Sequence, residues 1–425
     1  MFGLLDVKLN RNRHMSTKKK LSIYDKPKYV YIPLISGNDT NLTLLVKKGS
    51  YVYKGSVLAR RKGKFRIPIH SSVSGKVVRI EDKYCYNGKK VNTVVIENDF
   101  QEKYKDSKGV KRNLSRYTKQ EFIEILKDCG VVGLGGAGFP TYVKYNSPRK
   151  IETLIVNAVE SEPYITSDYT TFMTKCEEIL EAVDAIMDIN KIPEAIIAVS
   201  RENIKLINHI KDFIGTYLNI KLVLVPESYK MGYEKELIKY IKKINYQAKP
   251  INVGIVVNNV STVYAIYEAL KYQRPMTERI VTFTGDGLKK PQNIRVKVGT
   301  LASEVIESIG GYKKSGKLHF VAGGSMMGQS LPTDSIPISP NLPGVLILKE
   351  DTKREVETIC IRCGKCVDYC PSKIAPILIK ENINKPKMLK ELQPERCIEC
   401  GICSYICPAR IELLKIVKQA KEKRL

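Results

Sequence analysis

Eight of the eleven cysteines in this chain fall in two short runs near its C-terminal end. Each run reads C-x2-C-x2-C-x3-C followed by proline, and the runs are Cys360, Cys363, Cys366 and Cys370, then Cys397, Cys400, Cys403 and Cys407. Three thiolates of such a run bind one iron–sulfur cluster, and in two-cluster ferredoxins the fourth binds the other cluster. The spacing therefore predicts two [4Fe–4S] clusters, which favour electron transfer over a purely structural role.

The ferredoxin spacing also predicts which cysteines bind each cluster. One cluster is expected to take Cys360, Cys363, Cys366 and Cys407. The other is expected to take Cys397, Cys400, Cys403 and Cys370. Zinc is the alternative, because C-x2-C pairs also form tetrahedral zinc sites. Three cysteines in tandem before a Cys-Pro pair, found twice, favour clusters.

A glycine-rich loop, GLGGAGFPT, spans residues 133–141. Gly133, Gly135 and Gly138 spell G-x-G-x-x-G, but a predicted helix precedes the loop where the dinucleotide fingerprint requires a strand. Clustered glycines still leave backbone N–H groups free to approach a phosphate. The loop is therefore a candidate phosphate site, and a tight structural turn is the alternative.

Polar side chains follow two predicted strands. Asn157, Glu160 and Glu162 come at the end of IETLIVNA, and Asn258 and Asn259 end INVGIVV. Ligands of open parallel sheets bind at the carboxyl ends of the strands. Carboxamides donate and accept hydrogen bonds, as the edge of a flavin or nicotinamide ring requires. These residues are candidate ligand contacts, and helix caps or turns are the alternative.

The elements that position these residues are readable from periodicity and turn residues. Residues 28–99 read as short strands with glycine turns, and Thr118 with Glu121 forms a predicted capping box for a helix that Gly130 ends. From 151 to 272 apolar strands alternate with helices, which predicts a parallel sheet. Five segments follow: a basic arm at 1–27, a β module at 28–100, an α/β domain at 101–277, a second β module at 278–350 and the cysteine domain at 351–425.

Composition limits the class of protein. The chain has 425 residues, 43% hydrophobic and 27% charged, so it is long enough for several packed domains. Its sequence has no apolar run of transmembrane length.

Clustered cysteines in a long chain favour metal binding in a reducing compartment, so we expect the cytosol or the cytosolic face of a membrane. The net charge of +27 suits an acidic partner, anionic lipid or nucleic acid, or only a lysine-rich surface. The segment 1–27 is expected to be a flexible arm.

Taken together, the motifs GLGGAGFPTYVKY, NAVESEPYITSD, MGYEKELI, VNNVSTV, VAGGSMMG and the cysteine pair resemble the RnfC family. This family is the peripheral flavin and iron–sulfur subunit of the Rnf electron-transport complex, and the resemblance covers residues 28 to 420. The α/β part more distantly resembles the flavin subunit of respiratory complex I. The resemblance implies a multidomain α/β protein with a barrel-sandwich hybrid, a complex-I-like flavin domain, a β-grasp module of the soluble-ligand-binding (SLBB) type and a helical two-cluster ferredoxin domain.

The same resemblance implies FMN held by the glycine loop and the strand ends, with NADH docking over it. The residues expected to contact FMN are Gly133, Gly135, Gly136, Gly138, Lys144, Asn157, Asn258 and Asn259. Those expected near flavin or NADH are Phe139, Glu160, Glu162 and Glu234. Hydride transfer requires no acid–base side chain, so no catalytic residue is predicted.

The implied function is electron transfer from NADH through FMN and the two clusters to a partner protein, or the reverse. The partner is expected to be either the membrane subunits of an Rnf complex or a soluble reductase such as proline reductase, as for the related PrdC proteins. Glu160-Ser161-Glu162-Pro163 stands where the family has Glu-Cys-Glu-Pro, which favours a relative that serves another acceptor. A cluster relay without NADH oxidation, a corrinoid reductase and, remotely, a cluster-stabilised nucleic-acid-binding protein are the alternatives.

Overall fold

The computed structural model describes residues 7–423 apart from residues 8, 38, 64, 106–109, 137, 247–248, 315 and 351–355. The described part of the chain contains four β-sheets and, at its C-terminal end, a group of short helices. Among the described residues, no helix has the length and apolar character that a membrane span requires.

The N-terminal segment is not a flexible arm over its described residues. It forms helix α1 (His14–Thr17) and strand β1 (Ser22–Tyr24), and β1 pairs in parallel with a strand near residue 294. The buried Ser16 hydroxyl lies 2.7 Å from that of Thr166, and Arg11 pairs with Glu227 at 3.2 Å. The prediction of a free arm is wrong for residues 9–24, because these side chains find partners on other domains. Residues 1–6 and 8 lie outside the described residues.

Residues 29–98 form the first β module. Two antiparallel sheets, ordered β2-β8-β7-β4 and β3-β5-β6, enclose a core of Val, Leu and Ile side chains. Alternation of these residues with polar ones along each strand leaves one face of each sheet for the core. The strands are β2 (Tyr29–Pro33), β3 (Leu42–Leu44), β4 (Tyr51–Val52), β5 (Val57–Arg61), β6 (Pro68–His70), β7 (Gly75–Tyr84) and β8 (Lys90–Asn98).

The α/β domain is built on a four-stranded parallel sheet ordered β11-β10-β9-β12, as predicted. Its strands are β9 (Thr153–Ala158), β10 (Glu194–Ser200), β11 (Ile220–Val225) and β12 (Ile255–Asn259). Its helices are α2 (Lys119–Asp128), α3 (Thr141–Tyr145), α4 (Ser167–Thr174), α5 (Cys176–Asn190), α6 (Ile204–Ile214), α7 (Glu234–Lys242) and α8 (Val260–Tyr272). Short 3-10 turns lie at Leu114–Arg116, Tyr229–Gly232 and Pro250–Val253. In a parallel sheet, helices cover both faces. This explains why its strands read as nearly continuous apolar runs in the sequence.

Helix α2 confirms the predicted capping box. The Thr118 side chain accepts from the backbone N–H of Glu121, and the Glu121 carboxylate accepts from that of Thr118. Gly130 follows the helix with φ of +65°, a conformation that glycine adopts without strain. Helices α4 and α5, between the first two strands of the sheet, are not among the predicted elements.

The second β module contributes a mixed six-stranded sheet ordered β1-β14-β13-β17-β15-β16, with one helix packed on it. The strands are β13 (Glu278–Thr284), β14 (Gln292–Lys297), β15 (Leu318–Ala322), β16 (Gln329–Leu331) and β17 (Gly344–Lys349), and the helix is α9 (Ala302–Ser308). Because β1 forms one edge, the N-terminal segment belongs structurally to this module.

The cysteine domain is helical. Its elements are α10 (Lys365–Asp368), α11 (Pro376–Glu381), α12 (Pro386–Leu392), the 3-10 turn Pro394–Arg396, α13 (Ile402–Tyr405) and α14 (Leu413–Glu422). The closing helix α14 buries Leu413, Val417 and Ala420 along one face.

Candidate functional site

The glycine loop joins α2 to α3 as a closed turn. The N–H of Gly133 donates to the carbonyl of Phe139 at 2.7 Å, and that of Gly138 donates to the carbonyl of Gly133 at 3.0 Å. A Cβ added to Gly135 would lie 3.2 Å from the Asn259 amide nitrogen, whereas one added to Gly136 would meet no atom within 4 Å. The loop therefore approaches the end of β12 closely and leaves open space at Gly136.

Lys144 and Glu234 lie together beside this loop. The Lys144 ammonium donates to the carbonyl of Val257 at 2.6 Å and lies 3.8 Å from the Glu234 carboxylate. Burial lowers the pKa of Lys144 and raises that of Glu234, and each charge partly offsets the effect on the other. Helix α3, strand β12 and the start of α7 thus bring two predicted site residues into contact.

The side-chain amides of two asparagines at the strand ends differ in how many of their hydrogen bonds are made. The Asn157 side chain donates to the carbonyl of Gly232 at 2.9 Å and accepts from the N–H of Val159. Asn258 is 2% exposed and donates to the Tyr145 hydroxyl at 2.6 Å. The Asn258 Oδ1 atom has no donor among the described residues. A buried acceptor without a partner costs free energy, so this atom is suited to a ligand N–H group.

Asn259 is oriented by Asp168, a residue that the sequence analysis did not single out. Asn259 caps helix α8 through the N–H of Thr262, and its amide donates to Asp168 at 3.0 Å. Asp168 also accepts from the N–H and hydroxyl of Ser261. Asp168 lies within the NAVESEPYITSD motif, so the signal for it was present in the sequence.

Glu160 is buried next to Asp168. Its carboxylate accepts from the N–H groups of Asp168 at 2.7 Å and Tyr169 at 3.0 Å, at the start of helix α4. Burial first, and the Asp168 charge second, raise the pKa of Glu160 to about 7, while Arg13 of the N-terminal segment opposes the shift. The buried guanidinium of Arg279 also acts on both carboxylates. Glu160 is therefore part of a buried charge cluster beneath Asn259.

Glu162 is directed toward the cysteine domain. Its carboxylate accepts from the N–H groups of Met326 at 2.6 Å and Met327 at 3.0 Å. The Tyr229 hydroxyl lies 3.1 Å from the Glu162 carboxylate and 2.9 Å from the carbonyl of Cys400. Glu162 thus joins the α/β domain, the VAGGSMMG loop and the second cysteine run.

The start of helix α7 lies between the glycine-loop site and the second cysteine run. Tyr229, Tyr233, Cys400 and Ile402 share one apolar cluster, and burial together with the Cys400 sulfur raises the pKa of Tyr233. The next residue, Glu234, contacts Lys144 on the site side. The adjacent residues Tyr233 and Glu234 therefore lie between the predicted flavin site and the second cysteine run.

The cysteines of the two runs lie near one another in two sets. A cavity of about 430 Å³ is lined by Cys360, Cys363, Cys366 and Cys407. Burial raises the pKa of the Cys403 thiol, followed by the proximity of Cys400, Cys397 and Cys370. In the first group Cys363 is exposed, whereas Cys370, Cys400 and Cys403 of the second group are buried.

Comparison with known proteins identifies the family. Residues 6–101 match the RnfC barrel sandwich hybrid domain. The chain is also 32% identical over 375 residues to a subunit of the proton-translocating ferredoxin:NAD(+) oxidoreductase complex of Clostridium ljungdahlii, covering 87% of this chain and 81% of that protein. The chain belongs to the RnfC family. A subunit of the Na(+)-translocating ferredoxin:NAD(+) oxidoreductase complex of Acetobacterium woodii is 33% identical over 84% of this RnfC chain and 81% of its own length.

Further matches cover the other domains of this RnfC chain. Residues 126–268 match the Nuo51 FMN-binding domain and residues 359–411 the 4Fe-4S dicluster domain. A subunit of an ion-translocating oxidoreductase complex from Rhodobacter capsulatus is 29% identical over 88% of this chain and 73% of its own length. A crystal structure of an NAD+-reducing [NiFe]-hydrogenase is similar in fold, with a TM-score of 0.51 and 17% identity over 73% of this chain and 63% of that one.

These matches confirm the predicted family, the multidomain fold class and the two cofactor domains, one for FMN and one for two [4Fe–4S] clusters. The dicluster match removes the basis of the zinc alternative. The chain is an electron-transfer oxidoreductase subunit of the RnfC type. The roles of individual residues stay predictions.

Proposed function

We propose that this chain passes electrons from NADH, through FMN and two [4Fe–4S] clusters, to a partner protein. The observation that carries the proposal is the junction at Tyr233 and Glu234, which borders the flavin site on one side and the second cysteine run on the other. FMN exchanges two electrons as hydride with nicotinamide and single electrons with clusters. A site so close to a cluster fits this conversion.

The residues at the strand ends fit a flavin. The unpartnered Asn258 Oδ1 suits a ring N–H group, and the open space at Gly136 leaves room for a phosphate against backbone amides. Lys144 would bring a positive charge to the ring, and Asp168 would hold the Asn259 amide in one orientation. The work of these side chains is to bind and orient the cofactor.

The cysteine groups supply two successive positions for electrons. We propose that Cys370, Cys397, Cys400 and Cys403 bind the inner cluster, which borders Tyr229 and Tyr233. The outer cluster would then take Cys360, Cys363, Cys366 and Cys407, around the cavity of about 430 Å³. Cysteine thiols must lose their protons to bind iron. The positive charge of the cluster iron offsets the cost of burying the resulting thiolates.

Electrons would leave at the outer cluster. Cys363 is exposed, and the neighbouring Ile359 and Ile361 expose 90% and 67% of their surface. Large apolar side chains exposed together mark protein interaction sites. The relatives are subunits of ion-translocating complexes, so the partner is a further subunit of such a complex or a soluble reductase.

The test begins with anaerobic purification and assay of iron, sulfide and flavin, followed by NADH. We expect stoichiometric FMN, rapid bleaching of the flavin band and then loss of cluster absorbance. In C400A, which removes an inner ligand, flavin bleaching should persist while reduction of the outer cluster is lost. In C363A the inner cluster should still be reduced. Flavin that NADH leaves oxidised would contradict NADH as donor, and clusters reduced without flavin would indicate a relay fed by another donor.

Membrane association is measured separately, because the proposed electron path does not depend on it. Native lysate is fractionated and the chain is followed by immunoblot. Co-sedimentation with membranes together with other complex subunits supports an Rnf-type partner. Recovery in the supernatant with a co-purifying reductase supports a soluble partner.

A further inference from the structure

A strongly basic hairpin of the first β module stands beside the glycine loop. It connects β5 to β6 and reads RRKGKFR over residues 60–66, with five cations and no acidic residue. Arg60, Lys62 and Arg66 are exposed, and Lys64 lies outside the described residues. The hairpin lies outside the motifs of the flavin and cluster sites.

The hairpin is fixed against the site by its one aromatic residue. The rings of Phe65 and Phe139 meet edge to face with centroids 5.7 Å apart, and Phe139 belongs to the glycine loop. Aromatic pairs in this arrangement add stability beyond buried area. A second contact joins the first β module to the glycine loop, because a Cβ on Gly138 would lie 3.4 Å from the Cα of Gly37, in the connection from β2 to β3.

Arg61 holds the hairpin in this position. Its guanidinium pairs with Asp39 at 2.7 Å and lies 5.7 Å from the centre of the Phe65 ring. The Arg61 charge also acts on the Tyr142 hydroxyl of α3, immediately after the glycine loop. Arg61 is therefore used for positioning, which leaves the exposed cations of the hairpin for a ligand.

The inner wall of the site needs positive charge from elsewhere. Glu234 places a carboxylate there, and Lys144 is engaged by Glu234 and the carbonyl of Val257. A dinucleotide adds the two negative charges of its diphosphate. A positive rim near the mouth of the site attracts such a ligand and raises its local concentration.

We propose that the exposed cations Arg60, Lys62 and Arg66 of the basic hairpin bind the diphosphate of the dinucleotide whose nicotinamide reaches the flavin. The inference rests on the proposed function for the identity of the dinucleotide. It makes the barrel-sandwich module part of the substrate site, with Arg60 and Arg66 as binding residues and Arg61 and Phe65 as positioning residues.

The test compares two charge-matched double variants of the full cofactor-loaded protein. R60E/R66E reverses two exposed hairpin cations. K47E/K48E reverses two exposed cations in the turn after β3, at the opposite end of the same sheet, because Leu42 pairs with Arg61 and Leu44 with Ala59. Both change the net charge equally. Steady-state NADH oxidation with a small one-electron acceptor gives KM and kcat.

We expect R60E/R66E to raise the KM for NADH about fivefold, the scale of a few exposed ion pairs, with kcat and contents of FMN and iron unchanged. K47E/K48E should leave the KM unchanged. The KM of the unaltered chain should rise with salt, and less so in R60E/R66E. Reduced nicotinamide mononucleotide lacks the diphosphate, so its KM should change less.

Equal KM values in the two variants would overturn the proposal, and so would loss of FMN from R60E/R66E with unchanged KM, which would place the hairpin at the flavin phosphate. If the unaltered chain does not oxidise NADH, the proposed function fails on its own. Binding of ADP-ribose, measured by calorimetry, then tests the role of the hairpin separately. Weaker binding by R60E/R66E than by K47E/K48E supports the proposal that the hairpin binds the diphosphate, and equal binding overturns it.

Discussion

Glu160 has two energetically unfavourable features, a strained backbone and a buried carboxylate. Its backbone lies in the left-handed region with φ of +46°, which a residue with a side chain adopts only when its surroundings enforce it, and its carboxylate is buried. The N–H groups at the start of α4 compensate for both by fixing the carboxylate. Such strain in a native protein concentrates at ligand sites.

The raised pKa of Glu160 predicts a pH dependence of stability. Folding disfavours its charged form, so the unaltered chain loses stability as pH rises from the unfolded pKa near 4.5 to the folded pKa of about 7. Glu160→Gln stays neutral. We therefore expect the free energy of unfolding of E160Q, relative to the unaltered chain, to increase between pH 5 and pH 8 by roughly 2–3 kcal/mol.

Denaturant titrations at the two pH values, with cofactors bound, measure this difference. E152Q is the control, because the Glu152 side chain is 52% exposed and forms a surface pair with Lys150. A pH-independent difference between E160Q and the unaltered chain would contradict the assignment of the raised pKa.

Single residues were predictable from sequence where their partners are local. Thr118 and Glu121 lie three positions apart, so the capping box is visible in the sequence alone. The partners of Glu162 are Tyr229 and Met326, far away in sequence, and no local pattern indicates them. Asp168 lies within the NAVESEPYITSD motif, but its partners Asn259 and Ser261 are about 90 positions away, so the motif alone did not indicate its role.

At the scale of elements, the turn before α7 controls the site. Its Gly232 carbonyl accepts from Asn157, and a Cβ at Gly232 would lie 1.9 Å from the Ser161 hydroxyl oxygen and 2.9 Å from Ser161 Cβ. The β9–α4 loop and the start of α7 can approach each other only because residue 232 has no side chain.

Gly232→Ala is therefore expected to displace the start of α7 and with it Glu234. Overpacking of this kind costs about 1–3 kcal/mol. We expect the purified variant to lose most of its FMN while retaining iron, as measured by flavin extraction and iron assay. Gly215→Ala is the matched control, because a Cβ there meets no atom within 4 Å and the backbone is helical. Full FMN occupancy in G232A would contradict this role.

Element types were largely readable, because apolar strands and amphipathic helices have distinct periods. The predicted order of strands and helices from residue 194 to 272 is the observed one. The relative placement of α7 and the cysteine domain was not readable, since it depends on the contact of Tyr233 with Cys400 across domains.

At the scale of the whole molecule, the two cysteine runs differ in their surroundings. Gly401 and Gly364 occupy the same place in the two runs and have φ of +77° and +75°. A Cβ on Gly401 would lie 2.6 Å from the Met326 carbonyl oxygen, whereas one on Gly364 would have its nearest contact, Asp368, at 3.7 Å. The second run is thus docked on the VAGGSMMG loop and the first is open there.

This pair of glycines gives a matched test of docking. Both Gly401→Ala and Gly364→Ala carry the same left-handed backbone strain, roughly 1–2 kcal/mol, but only the first collides with the loop. We expect G401A to slow cluster reduction several-fold after NADH-dependent flavin bleaching, and G364A to leave it near normal. Stopped-flow absorbance measures both steps. Equal slowing, or equal loss of iron, would attribute the effect to backbone strain instead.

The whole-molecule prediction that failed concerns the N-terminal segment. Its basic composition indicated a free arm, but composition carries no information about Thr166, Glu227 and the edge of β14, to which it binds. Long-range partners decide whether a charged segment is ordered. The contact between the basic hairpin and the glycine loop was not predictable for the same reason, because Phe65 and Phe139 are far apart in sequence.

The pairing of β1 with β14 also has a consequence for biosynthesis. Ser22 and its hydrogen-bond partner Gln292 are 270 residues apart, so the edge of the second β module cannot close until the ribosome has made most of the chain. At ordinary elongation rates the segment waits roughly 15 to 50 seconds, while earlier domains fold. During that interval the β1 segment has no partner strand and is available to chaperones, and fusion of a rapidly folding tag near the segment would compete with its late return.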